Sequence, residues 1–193
     1  MDDFTMLDLV KRYSDWRRKY HNLGHVAHMF EKANDCNLKL SDAQTYAILF
    51  HDVIYDPARS DNEEKSAEYA HLNLDVDYKT KEDVCEIIRN TQKEIPTIPQ
   101  SCDVIDLDLC DLCDEKAFSA NTQKIYNEYL AFYPETTYEK CLTGRAKWLS
   151  SFLQRPRIYV GFLQNKDDVA RQIMSHEFEE VKAEMKQRGI VNG

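Results

Sequence analysis

The stretch AILFHDVIY at residues 47–55 decides the fold, because it places His51 beside Asp52 inside an apolar run. Burying two such groups without partners costs several kcal/mol, and a bound metal ion is one partner that removes this cost. A capping-box pattern begins at Ser41, and apolar residues recur at helical spacing after it. We therefore expect a helix over residues 41–55, apolar nearly all round in its second half, with Asp52 facing a cleft. The alternative is an exposed His-Asp pair without a role.

The composition is that of an ordinary globular protein. The chain has 193 residues, of which 42% are hydrophobic and 31% charged, and this is typical of one domain with a sizeable core. Only five glycines and five prolines are present, which favours helices over a turn-rich β fold. We therefore expect an all-α, single-domain bundle over residues 1–193, with the functional core at about 18–113 and helices within 117–187 completing it.

Charge and hydropathy argue against several classes of protein. The formal net charge of -9 argues against broad nucleic-acid binding, which needs a basic surface, although a small anionic substrate needs only a local cationic pocket. No apolar run approaches the roughly 18 residues of a membrane span. The acidic N-terminus lacks the apolar segment of a signal peptide. We expect a cytoplasmic protein without membrane contact, and the oligomeric state stays open.

The six cysteines have no secreted-domain context, so reduced thiols are expected. Cys110 and Cys113 form a C-x-x-C motif with Cys102 upstream. A zinc or redox site there is one interpretation, and ordinary buried thiols are the other. The second is favoured because the chain has no second C-x-x-C.

A dense basic stretch, RRKYHNLGHVAH at residues 17–28, holds three of the six histidines. Asn22 is a good N-cap, and a helix starting there places His25 and His28 one turn apart on one face. The preceding cations lie beside the helix start, where an anion also finds free N–H groups. The alternative is a solvated basic turn with one core histidine, which we favour for His28 alone.

Residues 105–109 alternate between apolar and acidic side chains, a pattern that also fits a strand. In a helix, Asp108 falls on the apolar side and Asp106 points the other way. An inward carboxylate is a candidate metal ligand, so Asp108 is the better candidate and Asp106 the fallback.

The other periodic segments predict helices joined by loops at 56–61 and 94–100. Glu63 and Glu64 lie in the first turn of one of them, where a purely structural role through the helix dipole competes with a functional one. These segments are 3–17, 62–74, 80–92, 117–133, 138–153 and 166–187.

Four residues, spread over three predicted helices, form an ordered set of two imidazoles and two carboxylates: His25, His51, Asp52 and Asp108. This mixture of nitrogen and oxygen donors suits one divalent transition-metal ion, namely Mn, Co, Fe, Ni or Zn. Coordination positions remain for water and substrate.

This H…HD…D order resembles the HD-domain superfamily of metal-dependent phosphohydrolases, and most closely a branch of predicted HD phosphohydrolases. The likeness covers nearly the whole chain, and Tyr159 and the Ala170-Arg171 pair also look similar. It depends on four blocks: RKYHNLGH at 18–25, FHDVIY at 50–55, NEEKSA at 62–67 and DLDL at 106–109.

The resemblance implies an HD-type helical bundle that holds one divalent ion through His25, His51, Asp52 and Asp108. It also implies hydrolysis of a small phosphate ester, with a nucleotide as the expected substrate class. The chain departs from the branch after Thr91, where a histidine is usual and Gln92 follows here. Substrate choice is therefore expected to differ from that of its relatives.

The expected chemistry is attack by a metal-activated water on a phosphoryl group. A carboxylate near the water would orient or deprotonate it. Glu63, placed by the NEEKSA block, is the first candidate for this catalytic role and Asp56 the second. The predicted substrate-binding residues, some of them neutralising the phosphate, are Arg18, Lys19, Tyr20, His21 and Asn22.

Three other functions compete with this one. A dinuclear HD-type oxygenase needs two further histidines between Asp52 and Asp108, where only His71 lies. The hydrolases of the signalling nucleotide ppGpp carry a Glu-Asp pair soon after the HD pair, and this chain lacks it there. The third is a non-catalytic nucleotide-binding protein whose metal is structural.

Overall fold

The computed structural model describes residues 2–93 and 95–190, and over these residues it confirms the all-α fold. The described residues form nine α-helices and two short 3-10 helices, with no β-strand. None of these helices is long and apolar enough to cross a lipid bilayer. The α-helices are α1 (Asp3–Tyr13), α2 (Leu23–Asp35), α3 (Asp42–Phe50), α4 (Asn62–Asn73), α5 (Tyr78–Lys93), α6 (Gln100–Asp108), α7 (Glu115–Phe132), α8 (Tyr138–Leu153) and α9 (Asp167–Gln187), and the 3-10 helices are Cys110–Cys113 and Gln164–Lys166.

The central helix α3 starts where the sequence predicts and ends earlier. Ser41 caps it through a complete capping box with Gln44. The prediction that it continues to residue 55 is wrong, because α3 ends at Phe50. Beyond it, the Ser66 hydroxyl binds both the N–H and the carbonyl of Ile54. Hydrogen bonds from another helix thus replace those of a continuing helix, and the chain turns at the His-Asp pair.

Helix α1 is also shorter than predicted, since it ends at Tyr13 and not at residue 17. The Asp15 carboxylate accepts the backbone N–H of Arg17 at 3.0 Å, which stabilises a turn there. A local side-chain acceptor of this kind competes with helical hydrogen bonds.

Helix α6 settles the ambiguity of residues 105–109 in favour of a helix. It begins at Gln100, the last residue of the predicted loop, while Glu94 at the start of that loop lies outside the described residues. Asp106 is fully buried and its carboxylate accepts the backbone N–H groups of residues 160, 161 and 163 at 2.7–2.9 Å. Asp106 therefore anchors the chain before α9, whereas the Asp108 carboxylate contacts His25 of α2.

The buried apolar side chains form two clusters. The first gathers residues from α1 to α6 and includes Val104 and Leu107. The second includes Leu112 of the 3-10 helix and residues of α7, α8 and α9. Phe162 packs against both clusters. The end of α6 is therefore where the chain passes from one cluster to the other, and the candidate site lies there.

Candidate metal centre

Four side chains, from α2, the turn after α3 and α6, meet at the end of α6. His25 Nε2 lies 2.9 Å from Asp108 Oδ1 and 3.3 Å from His51 Nε2. His51 Nε2 lies 3.1 Å from Asp52 Oδ2 and 3.8 Å from Asp108 Oδ1. Donor atoms that share one ion at about 2.1 Å lie roughly 3.0–3.4 Å apart. The spacing of His25, His51 and Asp52 therefore fits one first-row divalent ion, and Asp108 lies beside them in contact with His25. We call these four residues the HD centre.

The surroundings hold the donor atoms in place. His51 directs Nδ1 at the Ile48 carbonyl, 2.9 Å away, which leaves Nε2 for a metal. His25 lies in the first turn of α2, behind the Asn22 cap. His25, His51 and Asp52 are all buried, and one ligand atom from each lies within 4.8 Å of the other two. Contacts within the protein thus hold these donor atoms together.

The electrostatics of the centre favour a cation. Burial disfavours the charged imidazolium of His51, but the Asp52 carboxylate outweighs it and raises the pKa of His51 to about 9. Burial acts against the charged form of Asp52 as well, yet the neighbouring histidines hold its pKa well below its usual range. The pKa of Asp108 is lowered for the same reason, burial being outweighed by His25 and His51. Two ionised carboxylates in a buried site call for positive charge.

Of the two predicted catalytic carboxylates, the structure brings only Glu63 to the centre. Glu63, in the first turn of α4, lines the same cleft as His51 and Asp108. Burial raises its pKa, and the nearby negative charge of Asp52 adds to the rise. Asp56 instead accepts the Tyr133 hydroxyl at 2.7 Å and a backbone N–H of its own loop at 2.9 Å, contacts that hold the loop.

Three of the five predicted substrate-binding residues have positions that serve the fold. Arg18 is buried and donates to the carbonyls of Asp52 and Val53 at 2.7 and 3.2 Å, so it supports the turn after α3 rather than a substrate. Lys19 is exposed and its Nζ bonds to the Trp16 carbonyl at 2.6 Å. Asn22 caps α2.

The other two, Tyr20 and His21, do line the cleft. The Tyr20 ring centroid lies 4.9 Å from that of His25, and the His21 ring stacks on Tyr55 at 4.2 Å. Burial lowers the pKa of His21, but Asp52 and Glu128 outweigh it and the net shift is upward. His21 is therefore the predicted cation that faces the centre.

Glu128 of α7 is a site residue that the sequence analysis missed. Its fully buried carboxylate accepts the N–H groups of Tyr20 and His21 at 3.0 Å each and lies 2.5 Å from His21 Nδ1. Its sequence signal is its position: Glu128 follows Ile125 by three residues and precedes Phe132 by four, on the apolar face of a predicted helix. A buried carboxylate on such a face needs a partner, which is His21 here.

The centre opens into a cleft of 1280 Å³. Its walls carry both aromatic and charged side chains. The aromatic ones are Phe118, Tyr126, Tyr129, Tyr138, Trp148 and Phe152, and the charged ones include Lys140, Arg145, Glu177 and Glu184. The cleft thus combines aromatic and charged surface.

Comparisons with protein-family models, with curated proteins and with solved structures found no match to this chain. The resemblance to HD phosphohydrolases therefore stays a prediction from four sequence blocks. The structure brings residues of all four blocks together. The first, second and fourth supply the four donor side chains, and the third supplies Glu63.

Proposed function

We propose that the protein is a metal-dependent phosphohydrolase of the HD type, which uses one divalent transition-metal ion to hydrolyse a small phosphate ester, with a nucleotide as the expected substrate. The observation that carries this proposal is the HD centre itself. Two imidazoles and the Asp52 carboxylate lie at ligand spacing, with Asp108 beside them, and His51, Asp52 and Asp108 line a large cleft. Sites of this kind, with room beside the ligands for water and substrate, are typical of hydrolytic metal centres.

The chain's own residues fit the steps of hydrolysis. His25, His51, Asp52 and Asp108 would hold a divalent ion, which would supply activation of a water molecule and polarisation of a phosphoryl oxygen. Glu63 lies in the same cleft, and its raised pKa suits a group that accepts a proton from water and returns it to a leaving group. His21 faces the same space, held by Glu128, and places positive charge where the phosphate gains negative charge.

The lining of the cleft supports a nucleotide as substrate. The phosphate would lie beside the HD centre and His21. Aromatic side chains such as Tyr126 and Tyr129 line the same cleft, and a base can stack on an aromatic ring whatever its identity.

The test is phosphate release from a panel of nucleotides and other phosphate esters, measured with Mn²⁺ for the wild type and for Asp52→Asn. We expect metal-dependent release from the wild type and a fall of at least about 100-fold in the variant, because even the loss of an outer-sphere partner costs 10- to 100-fold. Asp61→Asn is the matched control, since that aspartate pairs with Arg59 at the surface. Nucleotide binding without release by the wild type would favour the non-catalytic alternative.

A further inference from the structure

A second group of donor atoms lies one helical turn beyond the HD centre. His28 of α2 directs Nε2 at Asp111 Oδ1, 2.9 Å away, and at Cys110 Sγ, 3.6 Å away. The Cys110 sulfur lies 3.8 Å from the same Asp111 oxygen. All three donor atoms lie within 4.8 Å of one another. The group brings together a nitrogen, a sulfur and an oxygen from residues 82 and 83 positions apart in the chain.

These distances match those of a tetrahedral zinc site. With Zn–S at about 2.3 Å and Zn–N or Zn–O at about 2.1 Å, a sulfur lies roughly 3.6 Å from its neighbouring ligands and two lighter donors lie roughly 3.4 Å apart. Both contacts of Cys110 agree with these values, at 3.6 and 3.8 Å. The His28–Asp111 distance is that of a hydrogen bond and needs to lengthen by about 0.5 Å.

An outer layer of contacts holds the carboxylate. Asn121 of α7 donates its Nδ2 to Asp111 Oδ2 at 2.7 Å, and Lys124 donates to the Asn121 side-chain oxygen at 3.1 Å. The contact leaves Asp111 Oδ1 directed at His28. Metal-binding carboxylates are commonly held in this way. Hydrogen bonds from α7 thus hold the Asp111 carboxylate in the position that it takes beside His28.

The burial of the three residues leaves one side open. Cys110 is buried, whereas the side chains of His28 and Asp111 are 41% and 21% exposed. Cys113, the other thiol of the C-x-x-C motif, donates to the Cys110 carbonyl at 3.3 Å and does not face the group. A fourth position would therefore be taken by water or by a small ligand from the cleft, which Asp111 also lines.

We propose that His28, Cys110 and Asp111 form a binding site for Zn²⁺, separate from the HD centre. The thiolate is what selects this metal, because sulfur donors favour zinc over manganese or magnesium. The bound ion would join α2 of the first apolar cluster to the 3-10 helix of the second. The proposal does not depend on the phosphohydrolase activity, since it shares no ligand with the HD centre.

The test uses Co²⁺ as a spectroscopic probe for zinc, with the full-length, untagged, reduced protein. Only a cobalt-bound thiolate gives sulfur-to-cobalt charge-transfer absorption, and the HD centre contains no sulfur. We expect the band to saturate at one Co²⁺ per chain, to compete with Zn²⁺, and to disappear in Cys110→Ser. It should remain in Cys113→Ser, the matched thiol on the same 3-10 helix, and in Asp52→Asn, which removes a ligand of the HD centre alone.

A second variant keeps the test valid if Cys110→Ser does not fold. His28 is half-exposed, so His28→Gln should leave folding intact while weakening Co²⁺ binding at least about tenfold, the least that an outer-sphere change costs. The proposal is overturned if the folded wild type shows no charge-transfer band with Co²⁺ in excess. A band that persists in Cys110→Ser, or one that Asp52→Asn abolishes, would equally overturn it. Each result is independent of phosphate release.

Discussion

The HD centre and the His28–Cys110–Asp111 group lie one turn apart between α2 and the segment formed by α6 and the 3-10 helix after it. Helix α2 supplies His25 to the first and His28 to the second, while α6 and the 3-10 helix after it supply Asp108 and Asp111. What distinguishes them is the third contributor. The turn after α3 adds buried nitrogen and oxygen donors to the first, and Cys110 adds sulfur to the second. Neighbouring turns of α2 and of the segment formed by α6 and its 3-10 helix can thus present two sets of donor atoms with different metal preferences.

The largest expected effect is on turnover. It concerns Glu63, a carboxylate beside the HD centre that has no counterpart, among the residues described, beside His28, Cys110 and Asp111. Glu63→Gln should lower turnover by about 10²- to 10⁴-fold, the usual contribution of a general acid–base group. Mn²⁺ affinity should change little, because Glu63 is not one of the four residues of the HD centre. Steady-state kinetics and Mn²⁺ titration on the same samples measure both.

Glu64→Gln is the matched control for that prediction. Glu64 is the next residue in the same turn, and its carboxylate pairs with Arg89 at 2.8 Å. Its loss should leave turnover within about twofold, as an exposed ion pair contributes little. Equal turnover in Glu63→Gln and the wild type would remove Glu63 from its proposed role.

Smaller effects are expected for the two carboxylates near the end of α6, where one variant should lose stability and the other Mn²⁺ affinity. Asp106→Asn should lower the free energy of unfolding by about 1.5–3 kcal/mol, because it weakens charge-assisted bonds to three backbone N–H groups. It should leave Mn²⁺ binding nearly unchanged. Asp108→Asn should instead weaken Mn²⁺ binding at least about tenfold and cost less stability in the metal-free protein.

Urea unfolding in the presence of a chelator, beside Mn²⁺ titration, measures both quantities for this pair. The opposite ranking, with Asp106→Asn losing the metal and Asp108→Asn losing stability, would mean that the wrong carboxylate has been assigned to the HD centre.

The last effect is a pH dependence of stability to which the HD centre contributes. Burial opposes the charged His51, but Asp52 raises the pKa of His51 from 6.5 to about 9 in the folded protein. The folded state therefore binds this proton more tightly than the unfolded state. The resulting stabilisation is present in full below pH 6.5 and is lost as the pH rises through about 9.

Thermal unfolding of the metal-free protein between pH 6 and 10 checks this sign. Other titrating groups contribute to the same range, so the comparison is with Asp52→Asn, in which the fall of Tm with pH should be shallower. A steeper fall in the variant than in the wild type would contradict the coupling of His51 to Asp52.

The sequence was most informative where local chemistry decides the structure. The Ser41 capping box and the Asn22 cap predict the starts of α3 and α2, and both are confirmed. Helical periodicity also places Asp106 and Asp108 on different sides of α6, because residues two positions apart lie about 200° apart around a helix axis, but the fully buried carboxylate is that of Asp106. These signals depend on residues within one or two turns of each other.

The sequence was least informative where distant residues act on the backbone. The early end of α3 depends on Ser66 of α4, and the use of Arg18 depends on carbonyls 34 and 35 residues away. Glu128 meets His21 across 107 residues. Helical spacing does not indicate contacts between residues so far apart in the chain. For this reason residues 18–22 were predicted to bind substrate, whereas Arg18 binds the protein's own backbone.

The most direct test of the central claim is Mn²⁺ binding by the metal-free protein, measured in a Cys110→Ser background with and without Asp52→Asn. Mn²⁺ favours oxygen and nitrogen donors, so the HD centre should be its site. We expect one Mn²⁺ per chain in Cys110→Ser and binding at least about 100-fold weaker once Asp52→Asn is added. Undiminished Mn²⁺ binding in the double variant, or none in Cys110→Ser, would contradict the metal centre described above.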